Sequence, residues 1–75
     1  MNNTRRKELK RIVAMLQELQ SKLEGVATDE RDAFDALSEG LQASMMGQTL
    51  EENSDKLDEA VAIFEEIIEL IEEVM

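Results

Sequence analysis

Carboxylates are the only abundant side chains here with chemistry to offer. The 75 residues include eighteen Asp and Glu beside eight Lys and Arg, with no His, Cys, Trp or Tyr. Acids alone can act as general acid–base pairs or bind hard cations. They do so where an apolar setting pushes two of them apart in acidity or a loop makes several converge. Losing Cys and His removes thiol and imidazole nucleophiles, the usual zinc sites and any disulfide framework. Di-iron bundles need Glu-x-x-His ligands, and no D-x-[DN]-x-[DN]-G calcium loop is present. Only Glu30 falls on an apolar seam, while the Glu residues near the C-terminus lie mainly on an outward face. The expectation is a protein that is not an enzyme, with no catalytic, cofactor-binding or metal-ligating residues and no cofactor.

Everything that would position those acids reads as helix. There is no Pro and there are only three Gly, too little turn punctuation for an all-β fold. Apolar residues make up 43% of the chain, and their placement argues against disorder. Leu9, Ile12, Leu16, Leu19, Leu23 and Val26 alternate steps of three and four, the seam spacing of a coiled coil. Val13 and Met15 widen the stripe enough for more than one neighbour. The same register runs on to Ala33 and Leu37, with Phe34 beside them and Glu30 as its one polar position. Glu30 is either a register-setting polar residue or a sign that the seam opens near a bend. Asn3 or Thr4 suits the N-cap. Gly25 costs such a helix about 1 kcal/mol relative to Ala, and Thr28 or Asp29 could cap a new helix. The preserved register favours one helix over about residues 4–38.

Gly40 has the look of a left-handed C-cap, and the uncharged stretch to Gln48 reads as a connection over about 39–48. Leu41, Met45 and Met46 there either close the end of a bundle or offer an adaptable contact surface. Thr49-Leu50-Glu51-Glu52 has the capping-box form and predicts a second helix over about 49–74. Its apolar stripe includes Leu57, Val61, Phe64, Ile67, Ile68 and Ile71, widened by Ile63 and Leu70. That is too broad for one partner helix.

The fold expected is all-α: a long antiparallel helical hairpin over residues 1–75 as one helical domain. A lone hairpin has little interior, and a small single core supplies no more than about 3–5 kcal/mol. Two hairpins dimerising into a four-helix bundle bury both stripes, with Leu9, Ile12, Leu16, Leu19, Leu23, Leu57, Val61, Phe64, Ile67, Ile68 and Ile71 as core and dimer interface. The alternative is a monomeric three-helix bundle with a break near Gly25.

Charge is distributed unevenly. Residues 1–23 carry a balance of +4 and residues 24–75 one of −14, for a net −10. Both ends oppose their own helix dipole, Arg5 to Arg11 at the start and Glu65 to Glu73 at the end. An antiparallel hairpin, or a dimer of hairpins, sets the two blocks side by side. The acidity argues against direct nucleic-acid binding and against an anionic membrane surface. The longest apolar run, Ala60 to Phe64, is far short of the ~20 residues of a membrane span. No signal-peptide pattern is present either, so a cytoplasmic location is expected.

The basic start Arg5-Arg6-Lys7, the central run Ala33 to Ser44 (AFDALSEGLQAS) and the Glu-rich end together resemble a group of short acidic helical proteins. These occur in prophages and other mobile elements of Gram-positive bacteria. Similar members often have Pro where Ser38 stands, which fits a helix boundary. The group has no assigned activity, so the resemblance implies a setting and no residue roles. The function expected is a non-enzymatic protein–protein interaction module. In its sharper form this is an acidic inhibitor or DNA mimic, presenting Glu65, Glu69 and Glu72 to a basic surface of a nucleic-acid-handling protein. The alternative is a purely structural oligomerisation or assembly module.

Overall fold

Asn2 stops the chain from fraying at its start. Its backbone is extended, and its side-chain oxygen accepts from the Arg5 N–H at 2.8 Å, so Asn2 rather than Asn3 or Thr4 is the N-cap of the first helix. In the computed structural model, which describes Met1–Met75, α1 runs over Asn3–Asp35, α2 over Glu39–Gln42 and α3 over Met45–Val74. There are no strands; α1 and α3 pack against each other as an antiparallel hairpin. Gly25 lies within α1 where an added β-carbon would meet no neighbouring group. The helix continues through it, which corrects the three-helix alternative with a break at that point. One missing side chain costs too little to break a helix held along its length by a partner.

The connection is tighter than the sequence suggests. Helix α1 ends at Asp35, three residues before the boundary expected, and Gly40 does not end it. Gly40 lies inside the four-residue α2, and no glycine has a positive φ. Instead the Leu37 N–H bonds the Phe34 carbonyl at 3.0 Å, and Gln42 donates from its amide to that carbonyl at 3.3 Å. A carbonyl left over at the helix end is thereby satisfied. Helix α3 begins four residues before Thr49. Ser44 is its N-cap, accepting from the Gly47 N–H at 3.3 Å and donating to the Leu41 carbonyl. Thr49 is already inside the helix, its hydroxyl donating to the Met45 carbonyl at 2.9 Å. An earlier cap wins because its turn is closed by α2.

Gly47 makes that closure possible. A β-carbon there would stand well inside van der Waals contact with the backbone carbonyls of Leu41 and Gln42. The first turn of α3 can therefore lie directly against α2 only without a side chain.

The hairpin seam follows two heptad series. On α1 it is Leu9, Val13, Leu16, Gln20, Leu23, Ala27, Glu30 and Phe34, continued by Leu37 beyond the helix; on α3, Gly47, Leu50, Ser54, Leu57, Val61, Phe64, Ile68, ending at Met75 with Ile71. All are at least half-covered, and Val13, Ala27, Gly47, Ser54 and Ile68 are buried. The α1 register departs from the sequence expectation. Leu9, Leu16, Leu23, Glu30 and Leu37 are shared, but Ile12, Leu19, Val26 and Ala33 give way to Val13, Gln20, Ala27 and Phe34. Small residues at Ala27, Gly47 and Ser54 let the helices approach closely, and the polar Gln20 and Glu30 find partners across the seam. The result is a rod 58 Å long, 15 Å wide and 11 Å deep. No helix in it is long and apolar enough to cross a membrane.

Candidate functional site

Three polar bridges fix how far along the rod each residue sits. Gln20 donates from its amide nitrogen to the Val61 carbonyl at 3.4 Å and to the Glu65 carboxylate at 2.9 Å. Asn53 donates to the Glu30 carboxylate at 3.3 Å. Arg31 pairs with Asp58, both side chains about half exposed. Glu30 is thus a half-buried polar member of the seam with a partner on α3, and no bend is needed to explain it. Gln20 and Asn53 escape a search for apolar periodicity because only a fixed register shows that they face the other helix.

With the register set, the two long sides of the hairpin differ. On one side Leu19, Lys22, Leu23, Val26 and Phe64 line a shallow groove, and Val26 with Glu30, Asn53, Lys56 and Leu57 lines its continuation toward the connection. Lys56 and Asn53 share this side, so the residues that follow them at helical spacing share it as well. These are Ala60, Ile63, Ile67, Leu70 and Val74 at steps of three and four. Met15, Leu19 and Val26 answer them from α1. Leu19, Val26, Ile63, Leu70 and Val74 are each about half exposed in consequence (51%, 52%, 49%, 57% and 55%), and Ile67 is 41% exposed. The face is an apolar stripe on both helices, left open over roughly 20–25 Å of the rod at 1.5 Å per residue.

The opposite side is acidic. Arg31, Phe34, Asp35, Glu51, Ser54 and Asp55 line a polar groove there. Along α3 the exposed positions Glu51, Asp55, Asp58, Ala62, Glu65, Glu69 and Glu72 follow one another at steps of four and three. The acids Glu65, Glu69 and Glu72 therefore belong to a longer row than the sequence search singled out. Its signal, a carboxylate at almost every such step, was present in the spacing. Glu52, Glu59, Glu66 and Glu73 form a second row at steps of seven on the back of the same helix. No three carboxylates gather as a metal ion would require.

Of the interface residues expected, Leu9, Ile12, Leu16, Leu23, Leu57, Val61, Phe64 and Ile71 are half-buried and Ile68 is buried at 3% exposure. Leu19 and Ile67 stand outside the hairpin seam, on the open apolar face. Met45 is 86% exposed and Met46 53%, so neither closes the end of the rod. The basic and acidic terminal blocks do lie at one end, yet their charges do not pair across it. Arg11 pairs with Glu8 at 3.6 Å and Lys22 with Glu18 at 3.7 Å, both within α1. Arg31 with Asp58 is the ion pair that joins the helices. Compared with protein-family models, curated proteins and solved structures, the chain matches none.

Proposed function

We propose that this chain is a non-enzymatic helical module that works by protein–protein contact and assembles with a second copy of itself into a four-helix bundle. The observation that carries the reading is the imbalance between what the hairpin buries and what it leaves open. Three apolar side chains are buried, Val13, Ala27 and Ile68, while eleven large ones remain exposed. Several of those eleven form one continuous face, and such faces on soluble chains mark contact sites. A pair of hairpins joined there has the interior that a single one lacks. Its partners are proteins, because a net charge of −10 repels nucleic acid and anionic lipid alike. The resemblance of the Ala33–Ser44 segment suggests a mobile element in a Gram-positive cytoplasm as the setting.

Light scattering combined with circular dichroism on one sample tests the assembly. A helical dimer at tens of micromolar that dissociates on dilution is the expected result. A helical monomer at that concentration overturns it.

The acidic row on α3 favours a second role for the assembled rod, as an inhibitor or DNA mimic that occupies a basic surface of a nucleic-acid-handling protein. Carboxylates at steps of three and four stand about 5 Å apart along a rigid axis, and their field speeds encounter with a cationic groove. Pull-down from a bacterial lysate at low and high salt, with Glu65, Glu69 and Glu72 reversed to Lys as control, tests this role. The expected partner is basic and is lost at high salt and with the reversed variant. A partner held equally under all three conditions rules the mimic out.

A further inference from the structure

We infer that the second copy lies on the apolar face with its connection at the opposite end of the bundle, about a twofold axis that crosses the rod at the level of Leu19. The inference rests on the self-association reading above and adds the orientation to it.

The apolar stripes overlap in height. On α1 the stripe extends from Ile12 to Val26, and Leu19 is its midpoint; on α3 it extends from Ala60 to Val74. Gln20 bonds Val61 and Glu65 across the seam, so Leu19 lies level with the part of α3 just before Ile67, near Glu65. A twofold axis across the rod at that height sets Leu19 against Leu19 and Ile63 against Ile67. It sets Ile12 against Val26 of the second copy, and Ala60 against Leu70. An isologous contact of this kind needs one self-complementary patch, and in these pairs apolar residues meet apolar residues. Leu19 is also the middle of α1, which spans Asn3–Asp35. The two rods therefore overlap along most of their length.

Charge decides between the two ways of stacking the hairpins. Residues 24–60, the half nearer the connection, carry eleven acids and two bases, a balance of −9. The half with the termini carries +4 on residues 1–23 and −5 on residues 61–75. With both connections at one end, two halves of −9 lie against each other across the contact and repel wherever their carboxylates come within the Debye length of about 8–10 Å, most strongly at low salt. With the connections at opposite ends each −9 half meets a nearly neutral one. Arg5, Arg6, Lys7, Lys10 and Arg11 then come level with Asp29, Glu30 and Asp32 of the second copy. That also gives the basic block, which pairs with no acid of α3 in its own hairpin, an acidic neighbour.

The chain has no cysteine, so a Gln48→Cys variant of the full chain accepts one spin label per copy, on an exposed position beside the connection. The expected result is a dimer by light scattering with the labels about 50 Å apart in pulsed dipolar spectroscopy, roughly 25 Å on each side of the twofold at 1.5 Å per residue. A dimer with labels within about 25 Å of each other places both connections at one end. It overturns the orientation and leaves self-association standing. A monomeric mass with no coupling between labels overturns the self-association reading, and this inference with it.

Discussion

Ile68 and Ile67 are neighbours of the same residue type on one helix, yet Ile68 is 3% exposed and Ile67 41%. The same division separates Gln20, half-buried, from Leu19, 51% exposed. The seam of the hairpin and its open flank are built from similar residues one position apart. What distinguishes them is which series meets the other helix. The seam accepts Gln20, Glu30 and Ser54 because each lies where a polar partner or a close approach fits, while the flank keeps larger apolar side chains with nothing in the chain to cover them. Apolar content by itself therefore does not mark the inside of this protein.

The sharpest way to break that comparison is to truncate the seam. Ile68→Ala should cost about 2–5 kcal/mol of stability, by lost transfer energy and an unfilled space, measured as a lower urea midpoint. Gly47→Ala should follow with about 1–3 kcal/mol, because the added methyl forces α2 away from α3. A thermal melt checks it. On the flank, Ile67→Ser should leave the stability of the dilute monomer within about 0.5 kcal/mol of the parent. It should nonetheless weaken the dimer at least tenfold, about 1.4 kcal/mol, as seen in sedimentation equilibrium. If Ile67→Ser destabilises the dilute monomer as much as Ile68→Ala does, the division between seam and flank is wrong.

Two smaller changes refine the picture. Gly25 has open space around it, so Gly25→Ala should stabilise α1 by about 0.5–1 kcal/mol, the reverse of the same substitution at Gly47. Asp58→Asn removes the Arg31 ion pair, which is half exposed and screened by solvent. Its loss should cost about 0–1 kcal/mol, read as a fall of no more than about 4–8 °C in the melting midpoint.

Helix type, antiparallel pairing and excess apolar width were all legible in the sequence. They depend on local periodicity, on the lack of Pro and on the shortness of the connection. The boundaries near the connection were less so. Thr49 and Glu52 have the form of a capping box, but Ser44 caps five residues earlier because α2 supplies the Leu41 carbonyl and the space above Gly47. A glycine in the first turn of a helix was the available clue, since it has little local purpose. Gly40 has no role in ending α1, for which Gln42 and Leu37 satisfy the Phe34 carbonyl instead. On α3, Glu65, Glu69 and Glu72 were legible as an outward group, and the structure extends their row through Asp58 and Asp55 to Glu51.

By itself the sequence determined that this is a helical, acid-rich chain without thiol or imidazole groups, whose two long helices each carry more apolar surface than one neighbour can cover. Those properties belong to composition and to a 3.6-residue period, which every residue expresses whatever lies beside it. Only the tertiary structure decided which of two interleaved series became the seam. On α1 both begin from Leu9, Leu16, Leu23, Glu30 and Leu37, and they differ by a rotation of one residue that periodicity cannot rank. The choice fell to contacts across the hairpin, where Ala27, Gly47 and Ser54 give room and Gln20 and Glu30 find their hydrogen-bond partners, and it left Leu19, Val26 and Ile67 facing outward.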